Sequence, residues 1–435
     1  MHTDGRRPRL TPAIADVRRA VRTTLAAVSP EVETDAPGRA DLLVALSGGP
    51  DSLALAAATA FEAPRAGLRA GAIIVDHGLQ DASAEVAERA ADQARQLGLA
   101  PVIVTRVDVA ARQGAPAADG ETAGAAGGAG AGGGAPIGGP EAAARDARYA
   151  AIDDALSRTG ARAVLLGHTL DDQAETVLLG LARGAGAASL SGMARITSPE
   201  PVDPHHPGPA AAGPGGGAAG AVGPAAGAHA RGSAHGGGAR AALRLRPLLG
   251  IRRATTEAFC ADSGLEPWHD PHNTDPVYTR VRVRRSVLPL LERELGPGIA
   301  EALARTADQL REDDETLHEM AIETIEDLVE HAEAGIAISA GALAANPPAL
   351  RNRIIRYVID SEFGLSLSRT QTLAVAALAT DWHGQKGVDL PGIRVVRHGG
   401  LLVASRPEPE PRSPTRSQNP PHTTSPHTTT PHGTE

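Results

Sequence analysis

One lysine, one cysteine and a 2% share of aromatic residues mark this 435-residue chain. The single lysine, Lys386, is not part of a Gly-Lys-Ser/Thr triplet, and no such triplet exists. A Walker-type phosphate loop is therefore excluded, because that loop needs its lysine on the phosphates. The lone cysteine, Cys260, excludes a disulfide within the chain and any Cys-x-x-Cys metal or iron–sulfur site. It also suits a reducing compartment, so the sequence predicts a cytoplasmic protein. No window approaches the ~18 consecutive apolar residues of a membrane span. The N-terminal MHTDGRRPRL lacks the apolar stretch of a secretory signal. With a net charge of −9 there is no global basic field to recruit nucleic acid, so any RNA contact must come from a local patch.

What is present is organised as alternating apolar runs and helical patterns. Strands are expected at 42–46, 71–76, 101–107 and 162–167, with helices at 52–60, 83–97, 141–158 and 171–183. This alternation predicts an α/β domain built on a parallel sheet with right-handed crossovers. Residues 298–380 carry helical patterns, including ETLHEMAIETIEDLVEHA, and 386–404 read as a short strand, turn and hairpin. The expected architecture is thus a Rossmann-type nucleotide-binding domain followed by a smaller, mostly helical domain. The divisions are an N-terminal helical or flexible extension at 1–38, the α/β domain at 39–270, the second domain at 271–405 and a tail at 406–435. Two stretches, 111–140 and 197–242, are dominated by Ala, Gly and Pro without apolar period and read as disordered insertions, as does the Pro/Ser/Thr-rich tail.

Three polar clusters follow strand candidates, and ligands on parallel sheets sit at the carboxyl ends of the strands. The first is SGGPDS: Ser47, Gly48, Gly49, Pro50, Asp51 and Ser52 between strand and helix. Such a turn aims backbone N–H groups and the positive end of a helix dipole at one anion. Asp51 would repel a phosphate, so a Mg²⁺ ion between them is expected. The second cluster is Asp76 with His77. The third is GHTLDDQAETVLLGLARG at 167–184, holding His168, Asp171, Asp172 and Glu175. Asp171 and Glu175 are four apart and share one helix face, while Ala174, Val177, Leu178 and Leu181 form the apolar stripe. Helix capping by Thr169 and Asp172 explains one acid and leaves the others to function. Basic residues concentrate at Arg145 and Arg148, at Arg252 and Arg253, and at Arg280, Arg282, Arg284 and Arg285, the last group splitting differently on a helix than on a strand.

SGGPDS resembles the pyrophosphate-binding loop of the N-type ATP pyrophosphatases (the PP-loop superfamily, with an adenine nucleotide α-hydrolase-like fold). GHTLDDQAET resembles the signature of the tRNA(Ile)-lysidine synthetases and of the related tRNA thiolases. VDHGLQ, AARDARYAAI, RPLLGIRRATTEAFC, WHDPHNTDPVYTRVRVR and GQKGVDLPGIRVVRHGGLLV are similar to further stretches of the lysidine group, with Gln80, His272 and Val281 departing from its usual residues. The resemblance implies an ATP-dependent ligase. It adenylates C2 of the wobble cytidine in a tRNA(Ile) with a CAU anticodon, and free L-lysine then displaces AMP. It places ATP on residues 47–52, Asp76 and His77, with Mg²⁺ at Asp51. It places lysine and the catalysis on His168, Asp171, Asp172 and Glu175; the eight arginines above, read from charge alone, are the expected tRNA patch, with a solvated basic face as the other reading. It implies no membrane partner and leaves open a homodimer. A thiolase or other PP-loop enzyme is the alternative; the thiolase branch is disfavoured by the single cysteine.

Overall fold

The computed structural model describes residues 10–28, 39–76, 78, 83–107, 140–184, 186–198, 242–270, 274–332 and 335–406. His77, Gln80, His272, most of both insertions and nearly all of the tail lie outside these residues. The chain runs through α1 (Pro12–Val28), β1 (Leu42–Ala45), α2 (Pro50–Glu62), β2 (Ala70–Asp76), α3 (Ser83–Gln96), β3 (Val102–Arg106), α4 (Pro140–Thr159), β4 (Ala163–Leu165) and α5 (Leu170–Ala182). After these come α6 (Ala187–Leu190), β5 (Ile196–Thr197), β6 (Leu243–Leu245), α7 (Arg253–Asp262) and α8 (Thr279–Arg282). A π-helical turn at Val283–Val287 leads to α9 (Leu288–Leu295) and α10 (Ile299–Leu328). The remainder comprises β7 (Val329–Ala332), β8 (Gly335–Ser339), α11 (Ala340–Ala345), α12 (Pro348–Phe363), α13 (Arg369–Thr380), β9 (Val388–Leu390), β10 (Ile393–His398) and β11 (Leu401–Ser405).

Six strands form the first sheet in the order β3-β2-β1-β4-β6-β5, parallel except for β5. The chain builds outward from β1 through β2 to β3, then returns to place β4 on the other side of β1. The crevice between the ends of β1 and β4 is thus the topological switch point, where such sheets bind ligands. Alternation along the strands feeds two cores. Leu42 and Val44 pack with α1, α2, α3 and α7, whereas Leu43 and Ile73 pack with Ile152, Ala155 and Leu156 of α4. Among the described residues no helix is long and apolar enough to cross a membrane.

Residues 12–28, within the helical or flexible extension expected at 1–38, form a helix that packs into the core. Ile14, Val17, Val21, Leu25 and Val28 recur every three or four residues and bury one face of α1. They join the same apolar cluster as β1 and α2. The second sheet, in the order β7-β8-β11-β10-β9, is antiparallel throughout, and α12 and α13 cover it. Its strand β7 replaces the end of the helix expected at ETLHEMAIETIEDLVEHA. The helical pattern stops at Leu328, and Val329–Ala332 instead pairs with Gly335–Ser339. That is a tertiary pairing that local periodicity does not register. Leu181, expected in the buried stripe of α5, is 52% exposed, while Ala174 and Val177 are buried.

Because Leu25 is fully buried in the main core, Leu25→Ala is expected to lower unfolding free energy by about 2–5 kcal/mol. Urea denaturation checks this, and a loss within about 0.5 kcal/mol would return α1 to the status of a surface extension.

Candidate active site

The turn Ser47–Ser52 leaves β1 and becomes the first turn of α2. Gly48 takes φ +83°, a backbone state that side chains resist, and Pro50 opens the helix where its missing N–H is not needed. Ser52 Oγ accepts from the Ser47 amide at 3.2 Å and donates to the Gly49 carbonyl at 3.0 Å, so the loop is tied to itself. Across the crevice, Gly167 follows β4. A Cβ there would lie 3.1 Å from Ser52 N and Cα, so glycine lets the two strand ends approach. Trp268 closes the loop from outside by donating its amide to the Gly48 carbonyl at 2.9 Å.

Asp51 is not free. Its carboxylate accepts from Thr256 Oγ1 and from Arg253 Nε, the latter at 3.3 Å. Burial raises its pKa, and those two donors only partly offset the shift. Asp76 ends β2, is 6% exposed and accepts the Gly78 amide at 3.0 Å.

The start of α5 gathers the other carboxylates. Asp172 uses Oδ2 to cap the helix, accepting from Thr169 N and Oγ1 at 2.8 Å each. Its Oδ1 accepts from Arg253 Nη2 at 2.8 Å and Arg284 Nη2 at 3.3 Å. Burial alone would raise its pKa, but Arg253 and the Thr169 hydrogen bonds hold it below the usual carboxylate value. Glu175 is fully buried among guanidinium groups: Arg284 Nε at 2.7 Å, Arg253 Nη1 at 3.3 Å and Arg280 Nε at 3.4 Å. Asp171 accepts the Arg253 amide at 2.7 Å, capping α7, and faces Arg252 at 3.4 Å.

The arginines proposed for RNA therefore divide. Arg280 and Arg284 lie one helical turn apart, on α8 and the π-helical turn, and both reach Glu175. Arg252 and Arg253 also face carboxylates. Arg282 and Arg285 point the other way and donate to carbonyls of residues 274–277. Arg145 and Arg148 are exposed on α4 beside Tyr149. Sequence reasoning missed Thr256, one turn from Arg253 on α7, and Glu292, whose carboxylate accepts the Gly298 and Ala300 amides at 2.7 and 3.3 Å. Thr256 lies within RPLLGIRRATTEAFC but was given no role there, and Glu292 lies outside every quoted motif. A cavity of about 270 Å³ opens beside the cluster, lined by Asp171, Glu175, Arg252, Arg253, Arg284 and Glu292 together with Leu288, Pro289 and Ala300.

His168 follows β4. Burial, aided by Arg246, Arg280 and Arg145 and opposed by Asp172, lowers its pKa to about 4. Its Nδ1 has no hydrogen-bond partner among the described residues. The ring is neutral at pH 7.

A self-tied glycine loop at the switch point of a parallel sheet, facing an acidic helix start, defines a PP-loop nucleotide-binding domain. The family profile described as the PP-loop domain matches residues 21–207, and one described as the TilS substrate binding domain matches residues 339–403. The chain is 54% identical over 369 residues to the tRNA(Ile)-lysidine synthase of Leifsonia xyli subsp. xyli, covering 85% of this chain and 90% of that protein. It is 44% identical over 402 residues to the enzyme of that name from Salinispora tropica, covering 92% and 98%, and 43% identical over 397 residues to that from Thermobifida fusca, covering 91% and 98%. The chain belongs to the tRNA(Ile)-lysidine synthase family.

The His168 assignment has a pH signature. Its folded pKa of about 4 lies below the unfolded value of ~6.5, so the unfolded chain binds the proton first. His168 thus lowers stability as pH falls from ~6.5 towards 4 and has no such effect above that window. Urea unfolding at stepped pH is expected to show a smaller loss for His168→Gln than for the native chain; equal losses would contradict a buried neutral ring.

Proposed function

We propose that this chain is a tRNA(Ile)-lysidine synthase, using ATP to join free lysine to C2 of the wobble cytidine in a CAU anticodon. The observation that carries the proposal is 54% identity over 85% of the chain to a relative of that name. The site chemistry supports it. The pyrophosphate of ATP would be held by amides of Ser47–Ser52 and the positive end of α2, with Asp76 and His77 towards the nucleoside. The C2 oxygen attacks the α-phosphorus, the bond to pyrophosphate breaks, and cytidine is activated as its adenylate. The ε-amine of lysine then attacks C2, the C2–O bond breaks, and AMP leaves with that oxygen.

Lysine arrives as an ammonium, since its pKa is ~10.4, and must lose a proton to attack. Asp172 and Glu175 are each engaged by two or more guanidinium groups. Asp171 has more accepting capacity left: its Oδ1 meets Arg252 at 3.4 Å, and it lines the cavity. Asp171 is therefore the proposed acceptor for the amine, with Asp172 and Glu175 fixing the arginines around it. Neutral His168 lies on the side of the activated base. The apolar residues Leu288, Pro289 and Ala300 in the cavity lining suit the aliphatic stem of lysine.

Among the described residues no three His, Cys, Asp or Glu side chains group to hold a resident metal ion. One carboxylate nevertheless fits a Mg²⁺ that completes its shell with phosphate oxygens and water. Asp51 would hold it on exchanging a present donor, and the ion would offset charge developing on pyrophosphate. The proposed setting is the cytoplasm.

The test is transfer of labelled lysine to a tRNA(Ile) transcript with a CAU anticodon. The native chain is expected to transfer label only with ATP present, Asp51→Ala to lose at least a hundredfold in rate, and a transcript with uridine at the wobble position to accept nothing. ATP cleavage without lysine incorporation would contradict the proposal.

A further inference from the structure

One continuous piece of chain, α7 and the strap of residues 264–268 that follows it, grips the phosphate loop at three successive points. α7 ends in a Schellman turn, with the Gly264 amide on the Ala261 carbonyl at 3.2 Å and the Leu265 amide on the Cys260 carbonyl at 2.9 Å. Leu265 then packs against the main core, and Gln93 of α3 donates Nε2 to the Glu266 carbonyl at 2.8 Å. Pro267 leads to Trp268, whose amide reaches the loop.

Every carbonyl from Gly48 to Pro50 is engaged. That of Gly48 accepts from the Trp268 amide at 2.9 Å. That of Gly49 accepts from the Leu53 amide at 2.9 Å and from Ser52 Oγ at 3.0 Å. That of Pro50 accepts from the Cys260 thiol at 3.4 Å. Burial pushes that thiol up to about 12, so it stays protonated and able to donate. The Gly49 carbonyl is tied within the loop and the first turn of α2, whereas the Gly48 carbonyl is held from outside by the strap. Glycine on both sides gives the Gly48–Gly49 peptide the fewest steric constraints on rotation in the loop. In a planar trans peptide the N–H points opposite to the carbonyl, so the Gly49 N–H faces away from the strap. A rotated peptide would instead turn a carbonyl oxygen, the negative end of the dipole, that way.

We propose that Trp268 is a positioning residue for the phosphate loop: its amide, by holding the Gly48 carbonyl, fixes the Gly48–Gly49 peptide so that the Gly49 N–H is presented to the pyrophosphate of ATP. The proposal rests on the ATP reading given above and deepens it. A concavity of successive amides binds an anion only while each peptide keeps its donor end inward. The strap supplies that constraint at the one peptide the loop sequence leaves freest. α7 and the strap thus carry two separate tasks. Arg253 and Thr256 hold the Asp51 side chain, and Trp268 sets the main chain that precedes it. The role belongs to the Trp268 backbone and not to its indole.

The test is the affinity of the full chain for inorganic pyrophosphate, ATP and AMP, measured by calorimetry with Mg²⁺ present. Trp268→Pro, which lacks the N–H, is expected to weaken pyrophosphate and ATP about tenfold or more, the size of one charge-assisted hydrogen bond. Affinity for AMP, which lacks the pyrophosphate, should be little changed. Trp268→Ala keeps the N–H and should bind pyrophosphate within about threefold of the native chain. Thermal melts check that each variant folds. Because two consecutive prolines constrain the strap, the Trp268 residue is also replaced by its α-hydroxy analogue, which turns the amide into an ester and keeps the indole. The ester chain should reproduce the loss seen with Trp268→Pro. An ester chain that binds pyrophosphate as tightly as the native one would overturn the inference. An equal loss in Trp268→Ala would also overturn it, by assigning the effect to the indole, as would an equal loss for AMP, which would mark a general collapse of the site. If the native chain bound ATP yet transferred no lysine, a weakened ester chain would still sustain the inference, and the result would count only against the proposed reaction. A native chain that bound no pyrophosphate would overturn both.

Discussion

The guanidinium of Arg253 is shared by three carboxylates from two elements, and the site is organised around it. It meets Asp51 of the phosphate loop at 3.3 Å, Asp172 at 2.8 Å and Glu175 at 3.3 Å. The backbone amide of Arg253 donates to Asp171, which caps α7. Bringing such charges out of water costs several kcal/mol per ion, and the cost is recovered only where each is paired and hydrogen-bonded. Asp51, Asp171, Asp172 and Glu175 are matched by Arg252, Arg253, Arg280 and Arg284, which is why a fully buried Glu175 is tolerated. The cavity beside the cluster is therefore lined by charges of both signs rather than by acids alone. In the proposed reading an incoming ammonium would compete with arginines already present, and a cation drawing Asp51 towards phosphate would loosen its hold on Arg253. The proposed nucleotide and amine sites would thereby be joined through one side chain.

The fold supplies the geometry for that sharing. β1 and β4 end side by side at the switch point, Gly167 allows their exits to approach closely, and α7 sets Arg253 and Thr256 on Asp51 of the loop. Leu170 and Ala174 of α5 pack with Val283, Leu288, Ala300 and Ala304, which holds the second region against the acid cluster and delivers Arg280 and Arg284 to Glu175.

Much of this was legible in the chain. SGGPDS after an apolar run, and DDQAE at a helix start, each announce local geometry because glycine freedom, capping and helix spacing act over a few residues. The parallel sheet followed from the alternation of strand and helix patterns. What was not legible depends on distant partners. Nothing in the run of arginines at 280–285 says that Arg280 and Arg284 face Glu175 while Arg282 turns to loop carbonyls; that follows from the helical phase of α8 and the position of α5. The burial of α1 and the strand at Val329–Ala332 are likewise set by packing against elements far along the sequence.

The most direct test of the shared guanidinium is a double-mutant cycle on unfolding free energy with Arg253→Met and Asp172→Asn. Each single change leaves buried partners of one sign unmatched, so each is expected to be costly on its own. The account predicts that the double variant is less destabilised than the sum of the two by about 1–3 kcal/mol. Additivity within about 0.5 kcal/mol would mean that the two side chains do not interact and would contradict it.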